Sequence, residues 1–287
     1  NPMTTQSTQP VWLEVALNGA ASQAMQPSIP ITPSAIIEQG IACAKEGAAI
    51  IHLHVYDEHG QPTEDADLYT RVIEGIREQC DAIVYPTLAL HGTIAERYAP
   101  IKTLAQRGLL EWAVVDPGSV NITHPIHIEA SLDGLCYTNP NDHIKAGLAL
   151  AEADGWRPAY AIYEPGFARL GAALAAQHSA LKTPIYRLMF SDHLLFGTTP
   201  SEFALEFYAQ HLAQTCPAAP WMISGLDANV EGLMPMALEL GAHLRVGLED
   251  ASLGTTLSNN DLLEQGLKAI QNSGRPLATA DEIRQYG

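Results

Sequence analysis

Two histidines separated by one residue, His52 and His54, are the side chains of this 287-residue chain best suited to metal chemistry. They end an apolar segment, AAIIHLHV (48–55), which has the length and composition of a buried β-strand. Because residues i and i+2 of a strand point to the same face, both imidazoles can reach one ion. The alternative is a pair of hydrogen-bonded core histidines, but a same-face pair at the end of a strand favours a metal site.

A second group of ionisable residues occurs almost two hundred positions later, in RVGLED (245–250). Glu249 is the best candidate for a third ligand, and two histidines, one carboxylate and an open position form a catalytic zinc site. Iron(II) uses the same ligands, so another divalent metal is possible. The adjacent Asp250 is left to act as a base. Arg245 is an even number of residues from Glu249, so both side chains can point into the barrel. A guanidinium inside a barrel needs an anionic partner, which could be Asp250 or a substrate carboxylate. An ion pair with Asp250 could be catalytic or purely structural.

The elements that must bring these groups together are short apolar segments alternating with amphipathic ones. Eight segments are predicted to be strands: 11–17, 48–55, 81–88, 110–116, 158–164, 183–190, 219–225 and 243–249. Eight are predicted to be helices: 32–47, 64–80, 94–108, 141–155, 167–180, 200–216, 230–241 and 261–274. In the first helix, Thr32 suits the N-cap, Pro33 the first turn and Gly47 the stop.

Strands that alternate with helices form parallel sheets, and eight such pairs in a chain of this size predict a single-domain (β/α)8 TIM barrel, in the α/β class. The barrel is expected over residues 11–287, after a disordered or cloning-derived segment, 1–10. In a closed barrel the second and eighth strands both flank the first, which places Glu249 beside the histidine pair. The irregular segment 117–140 follows the fourth strand and is predicted to form a lid or substrate wall at the mouth.

The composition excludes several classes of partner. A formal net charge of −17 disfavours binding to nucleic acid and to anionic membranes. Hydrophobic residues make up 47% of the chain and charged ones 16%, which is typical of a globular protein. No signal peptide or membrane-spanning segment is predicted, and a cytoplasmic location is expected.

Several segments together resemble the β-keto acid cleavage enzyme family, whose best-known activity is cleavage of 3-keto-5-aminohexanoate. They run across almost the whole chain: ALNGA (16–20), PITPSAIIEQGIACAKEGAAIIHLHV (30–55), YEPG (163–166), GAHLRVGLED (241–250) and GRPLAT (274–279). The two segments with the candidate ligands are the most specific, because they fall on the strands that the barrel geometry requires.

The resemblance implies a zinc site, with one ion per chain held by His52, His54 and Glu249, and a β-keto acid whose oxygens the zinc polarises. It implies that Asp250, oriented by Arg245, removes a proton from the α-carbon of the keto acid. The enolate then attacks the thioester of acetyl-CoA, the co-substrate. CoA moves to the acyl group of the keto acid, and acetoacetate departs. The resemblance also implies a homotetramer.

Further positions are predicted to contact the substrate. Thr87 and Ser119 match positions where the family carries hydroxyl residues, and Glu164 matches a polar wall residue. Asn18, at the end of the first strand, could bond a substrate oxygen or a zinc ligand. His193 follows the sixth strand and is either a mouth residue or a solvated loop residue. Each of these side chains could instead make ordinary loop hydrogen bonds.

The chain departs from the family pattern mainly around the predicted pocket. Ala21 stands where the aminohexanoate-cleaving members carry a glutamate that would pair with the substrate ammonium, which argues against a cationic substrate. Tyr56 replaces a frequent arginine, and Asp116 replaces a common asparagine. These changes favour altered substrate choice with retained chemistry.

Two other functions fit part of the pattern. A metal-dependent hydrolase of the amidohydrolase layout also has an H-x-H pair, but on its first strand, with more histidine ligands on strands five and six. That function would be favoured by a metal bound to His193 or by a second ion. The other alternative is a barrel that binds a keto acid without turnover, against which the complete set of ionisable residues argues.

Overall fold

The centre of the molecule is a ring of eight parallel strands, seen in a computed structural model that describes residues 7–287. The strands are β1 (Leu13–Ala16), β2 (Ile50–His52), β3 (Ile83–Tyr85), β4 (Trp112–Val114), β5 (Arg157–Ile162), β6 (Ile185–Phe190), β7 (Trp221–Gly225) and β8 (His243–Val246). They pair in the order β3–β2–β1–β8–β7–β6–β5–β4, and β3 packs beside β4 to nearly close the ring. The predicted (β/α)8 barrel is confirmed, and β2 and β8 flank β1.

Helices connect the strands around the outside. They are α1 (Pro33–Glu46), α2 (Ala66–Arg77), α3 (Ile94–Gln106), α4 (Pro125–Glu129), α5 (Asn141–Asp154), α6 (Pro165–Ala175), α7 (Glu202–Thr215), α8 (Met234–Glu239), α9 (Asn259–Ser273) and α10 (Ala280–Arg284). The start of α1 is as predicted, since the Thr32 side chain accepts from Ala35 N at 3.2 Å and Pro33 lies in the first turn. Within residues 7–287 no helix is both long enough and apolar enough to cross a bilayer.

The chain before β1 is tied to the segment before α10. Of the predicted disordered segment, residues 1–6 lie outside the described residues. The Gln9 carbonyl accepts from Arg275 Nε at 2.9 Å, and Val11 pairs with Leu277 in an isolated parallel bridge. The boundary at residue 10 stays a prediction.

The segment after β4 is more regular than its sequence indicates. Two short antiparallel strands, Val120–Ile122 and Leu135–Tyr137, enclose α4. The backbone N–H of Leu195, in the loop after β6, donates to the Thr123 carbonyl at 2.8 Å. This bond joins the segment to a neighbouring loop at the mouth, which supports its interpretation as a wall of the site.

A charged layer crosses the inside of the barrel. Tyr85 on β3 donates to Glu14 Oε2 on β1 at 2.8 Å, and Arg245 Nη1 on β8 donates to the same oxygen at 3.3 Å. Arg187 Nη1 on β6 lies 3.4 Å from the Tyr85 hydroxyl. Because most of these strands are not neighbours, the contacts cross the interior of the barrel. The bond to Glu14 orients the Arg245 guanidinium on the side away from the mouth.

The opposite end of the barrel contains a neutral histidine. His243, at the start of β8, is buried and accepts from Trp12 N at its Nδ1 with a distance of 2.9 Å. Its ring stacks on Trp12 with 4.7 Å between ring centroids. Burial and the Arg275 charge lower the pKa of His243 to about 3.

This histidine is expected to make the fold sensitive to acid. Between pH 6.5 and about 3 the unfolded histidine binds a proton that the folded one does not, so stability falls as the pH falls. His243→Asn keeps an acceptor for Trp12 N and removes this titration. When the pH is lowered from 7 to 5, the free energy of unfolding should fall by about 2 kcal/mol more for wild type than for the variant. Urea unfolding of both proteins at the two pH values measures the difference, and equal losses would refute the assignment.

Candidate active site

The three predicted metal ligands come together at the mouth of the barrel. His52 ends β2, His54 follows it, and Glu249 lies shortly after β8. The Nε2 atoms of His52 and His54 lie 3.5 Å and 3.2 Å from Glu249 Oε1. One ligand atom from each residue lies within 4.8 Å of the other two. Two imidazole nitrogens and one carboxylate oxygen are the ligand set of a catalytic mononuclear site.

His52 is held in the form that binds a metal. Its Nδ1 lies 3.2 Å from the Tyr85 carbonyl oxygen. Since a carbonyl only accepts, Nδ1 carries the hydrogen, and Nε2 presents a lone pair toward Glu249. Burial also holds the pKa of His52 well below its ordinary value, which keeps the imidazole neutral.

Two facing atoms of the cluster have no hydrogen-bond partner in residues 7–287. They are His54 Nε2 and Glu249 Oε1, and both are buried. Buried polar atoms are rarely left in this state, because the lost solvation is costly. A divalent cation between the two atoms would satisfy both, so the residues present fit a metal ion.

Asn18 holds the backbone of His54. Its Oδ1 accepts from His54 N at 2.8 Å and from Gly19 N at 2.9 Å. Its Nδ2 donates to His54 O at 3.0 Å and to Pro30 O at 3.1 Å. The amide group has no further hydrogen-bonding capacity. Of the two roles predicted for Asn18, these contacts support the bond to a candidate metal ligand over the bond to a substrate oxygen.

Arg245 and Asp250 form a buried bidentate pair. Arg245 Nε lies 2.9 Å from Asp250 Oδ2, and Nη2 lies 2.7 Å from Oδ1. Gly225 N donates to Oδ2 at 3.2 Å, which leaves Oδ1 with only one donor. Burial raises the pKa of Asp250 to about 6, against the opposing effect of the Arg245 charge. A carboxylate with this pKa is suited to accept a proton near neutral pH.

The same arginine links the base candidate to the ligand cluster. Arg245 Nη2 also donates to Glu249 Oε2 at 2.8 Å. Glu249 therefore has one oxygen oriented by a guanidinium and the other turned toward the two imidazoles. Because the bidentate geometry needs a planar fork, lysine could not replace arginine at position 245.

The other residues predicted to contact the substrate differ in their burial and in their hydrogen bonds. Thr87 is half-buried, and its backbone N donates to Tyr69 Oη at 3.4 Å. Ser119 is exposed, and its Oγ accepts from a backbone N–H of the wall segment at 2.8 Å. Glu164 Oε1 accepts from Gly197 N at 3.2 Å. Substrate contact by these three residues stays a prediction.

His193 is not part of the ligand cluster. Its Nδ1 lies 3.0 Å from Asp227 Oδ2, and 60% of its side chain is exposed. The described residues hold one group of three close metal-ligating side chains, and His193 is outside it. The contact that would favour an amidohydrolase layout is therefore absent from residues 7–287.

The loop after β1 packs tightly against Glu249. Gly19 has a φ of +86°, and a Cβ at this position would lie 2.6 Å from Glu249 Cγ. The Tyr56 hydroxyl, where the family often has an arginine, donates to the Gly19 carbonyl and holds the loop in place. Tyr56 thus contacts the loop that packs against the candidate ligand Glu249.

Replacing Gly19 with alanine is expected to displace Glu249 and weaken metal binding. A loss of about 10-fold to 100-fold in affinity is expected, as for other residues that orient metal ligands. Gly155→Ala is the matched control, because Gly155 has a φ of +75° and nothing within 4 Å of its added Cβ. Competition with a coloured chelator measures both affinities. Equal affinities would show that Glu249 is not constrained by Gly19.

Some supporting residues were missed by the sequence interpretation. Glu14 lies 3.3 Å from Arg245 Nη1, and Arg187 reaches the same layer through Tyr85. A charged residue inside an apolar strand, as in VWLEVAL (11–17) or IYRLMF (185–190), is a signal that could have identified them. The role of the Tyr85 carbonyl could not be read from sequence, because it depends on the register between β2 and β3.

These features together define a class of protein, a TIM-barrel enzyme with its reactive groups at the carboxyl ends of the strands. A family model described as "beta-keto acid cleavage enzyme" matches residues 10–286. The chain therefore belongs to the β-keto acid cleavage enzyme family.

Two curated proteins are similar over nearly the whole chain. A 3-keto-5-aminohexanoate cleavage enzyme of Fusobacterium nucleatum subsp. nucleatum is 28% identical over 268 residues, with 90% of each chain covered. A 3-oxoadipate:acetyl-CoA acetyltransferase of Cupriavidus necator is 27% identical over 284 residues, covering 96% of this chain and 94% of that protein. The two relatives differ in the keto acid that their names give.

A solved structure supports the fold. The binary complex of ObcA with oxaloacetate superposes with a TM-score of 0.69 at 18% sequence identity. The alignment covers 90% of this chain and 66% of that chain, so this protein spans about two thirds of the ObcA chain. At this identity the likeness concerns the barrel alone.

Proposed function

We propose that this protein is a zinc-dependent acyltransferase that reacts a β-keto acid with acetyl-CoA to give acetoacetate and a new acyl-CoA. The observation that carries the proposal is the shared position of Arg245, which contacts both the base candidate Asp250 and the ligand candidate Glu249. Membership of the β-keto acid cleavage enzyme family supports the reaction type. The acetyl-CoA acceptor is supported by the name of one relative.

His52, His54 and Glu249 would hold the metal. A bound divalent ion would supply Lewis-acid polarisation of the keto and carboxylate oxygens, and zinc suits the donor set. The protein contributes the ligand orientation: Tyr85 fixes the tautomer of His52, Asn18 fixes the backbone of His54, and Arg245 fixes Glu249.

Asp250 then acts on the bound keto acid. Its Oδ1 accepts a proton from the α-carbon, and the pairing with Arg245 keeps the carboxylate oriented during the transfer. The carbanion attacks the acetyl carbonyl of acetyl-CoA and displaces CoA as the thiolate. The thiolate adds to the original keto carbon, and the bond between that carbon and the α-carbon breaks. The products are acetoacetate and the acyl-CoA of the remaining chain, and the proton returns from Asp250.

The substrate contacts and the state of the protein are also part of the proposal. Thr87, Ser119 and Glu164 would line the path of the keto acid and CoA around the mouth. The segment 117–140 would form one side of this path, and its Thr123 carbonyl accepts from Leu195 N in the loop after β6. A homotetramer remains the expected state on the family resemblance, and a cytoplasmic location remains a separate expectation.

The proposal is tested by incubating the zinc-loaded protein with acetyl-CoA and a panel of β-keto acids with cationic, anionic and alkyl side chains. Acetoacetate and a matching acyl-CoA should appear in equal amounts. Isotope-labelled acetyl-CoA should place its acetyl carbons in acetoacetate and not in the new acyl-CoA. No acetoacetate from any member of the panel, with zinc bound stoichiometrically, would refute the proposal.

A further inference from the structure

We infer that Arg97 is a positioning residue, which acts through Asn139 to hold the Ser119 hydroxyl as a hydrogen-bond donor toward an oxygen of the bound keto acid. The inference rests on the proposed function, in which Ser119 lines the path of the substrate. It gives a role to two buried residues, Arg97 and Asn139, that belong neither to the ligand cluster nor to the charged layer of the barrel.

The guanidinium of Arg97 joins three segments at the mouth of the barrel. Arg97 lies near the start of α3 and is 2% exposed. Its Nε donates to the Ala89 carbonyl, in the loop after β3, at 2.8 Å. Its Nη2 donates to Asn139 Oδ1 at 2.8 Å, and its Nη1 lies 3.1 Å from His143 Nδ1 on α5. Because each nitrogen serves a different segment, the planar fork fixes the three segments relative to one another.

The three hydrogen-bond partners of Arg97 are neutral, which distinguishes it from Arg245. Arg245 is paired with three carboxylates. Arg97 contacts a carbonyl, an amide oxygen and His143, whose Nδ1 must accept because arginine only donates. A buried cation with neutral partners gains little stability from them, since they repay its desolvation only in part. The arrangement is therefore better suited to holding loops in place than to stabilising the fold.

Asn139 transmits the position of Arg97 to Ser119. Asn139 is 4% exposed and follows the second short strand of the wall segment. Since its Oδ1 faces a group that only donates, its Nδ2 is turned toward the Gly118 carbonyl, to which it donates at 2.9 Å. Its backbone N donates to Ser119 Oγ at 2.8 Å. The two ends of the wall segment are thus joined at the residue that Arg97 holds.

The bond from Asn139 determines how the Ser119 hydroxyl can act. The oxygen accepts a hydrogen, and within residues 7–287 the hydroxyl's own hydrogen has no acceptor. Ser119 is also exposed, so the hydroxyl is available as a donor to a ligand. Every β-keto acid has carboxylate and keto oxygens that can accept from it, whatever its side chain. Misplacing Asn139 should therefore weaken substrate binding in the same way as removing the hydroxyl.

A double-mutant cycle tests whether Arg97 acts through Ser119. Zinc-loaded wild type, Arg97→Lys, Ser119→Ala and the double variant are compared with 3-oxohexanoate and acetyl-CoA. Lysine keeps the charge, but one ammonium cannot serve three segments. Each single variant should raise KM for 3-oxohexanoate about 10-fold, with kcat within about threefold of wild type. The double variant should show the same KM of about 10-fold over wild type, whereas an increase of about 100-fold would mean independent effects and overturn the inference.

Two further variants separate positioning from folding. Arg275→Lys is the matched control, since Arg275 is 4% exposed, donates to backbone carbonyls and lies at the opposite end of the barrel. It should leave KM unchanged, whatever its effect on thermal stability. Asn139→Asp gives Arg97 a carboxylate partner and removes the donor to the Gly118 carbonyl. It should raise KM about 10-fold with a Tm equal to or above that of wild type, and an unchanged KM would contradict the role of Asn139.

The inference and the proposed reaction can fail separately. If wild type releases no acetoacetate, the reaction fails, and the same cycle is then measured as the calorimetric Kd of 3-oxohexanoate. Equal affinity of wild type and Ser119→Ala would refute the substrate contact. Hydrogen exchange of the Asn139 amide needs no ligand: Arg97→Lys should speed it by about 10-fold or more, and Arg275→Lys should not. Unchanged exchange in Arg97→Lys would show that Asn139 does not depend on Arg97.

Discussion

Replacing Asp250 with asparagine should lower kcat for acetoacetate formation by about a thousandfold or more, because the substitution removes the proposed general base. Asparagine has nearly the same shape, and its carbonyl oxygen can still accept from Arg245 or Gly225. The amide cannot take the α-proton of the keto acid. Bound zinc, measured by elemental analysis, should stay at the wild-type ratio, because Asp250 lies outside the ligand cluster.

A matched control separates this effect from general disturbance of the mouth. Asp227 is also a buried carboxylate in a loop at the carboxyl end of a strand, and its Oδ2 pairs with His193 instead of with Arg245. Asp227→Asn should reduce kcat by less than about 10-fold. A loss in Asp227→Asn as large as that in Asp250→Asn would contradict the assignment of Asp250 as the base. Exchange of the α-hydrogens of the keto acid with deuterium, followed without acetyl-CoA, tests the proton step alone.

The second large effect is expected at the ligand cluster. His54→Ala removes one of three ligands and should weaken zinc binding by more than about 100-fold, with loss of turnover. His59→Ala is the control, since His59 is in the same loop with 79% of its side chain exposed. Chelation should inactivate wild type, and added zinc should restore its activity. The same zinc concentration should not restore His54→Ala.

Activity measured after removal of divalent ions tests whether the ligand cluster takes part in the reaction. Retention of full activity after exhaustive removal of divalent ions would show that the cluster has no role in the reaction. Restoration by iron(II) or manganese, but not by zinc, would keep the three ligands and change the metal. Both results can be read from the same chelated protein, with one metal added at a time.

The barrel could be predicted because each strand is a short apolar segment followed by a helical one. What could not be predicted is where strand pairing stops. The segment 48–55 looks like one strand, but pairing with β1 ends at His52, and Val55–Tyr56 pair instead with Pro62–Thr63. Apolar character continues across this change, so the composition does not reveal it. Similarly, the wall segment contains strands of three residues, which are too short for a periodic pattern.

The site was predictable where geometry follows from strand parity and barrel order. The spacing of His52 and His54 and the adjacency of the second and eighth strands are enough to place Glu249 beside them. Hydrogen bonds to the backbone carry no such signal. Asn18 could be expected at the mouth, but its use of all four hydrogen-bonding positions on backbone groups depends on how the loop after β1 folds and meets the loop after β2.

The arrangement of β2 and β8 on either side of β1 has a consequence for the synthesis of the protein. Both imidazole ligands leave the ribosome early, whereas Glu249 follows almost two hundred residues later. At about 5–20 residues per second, the nascent chain contains the two candidate histidine ligands without Glu249 for roughly 10–40 s. Under the proposed metal assignment, an ion bound during that interval would have only two protein ligands and would exchange more readily than in the complete site. The third ligand would arrive only when the last strand docks, when nearly the whole barrel already exists.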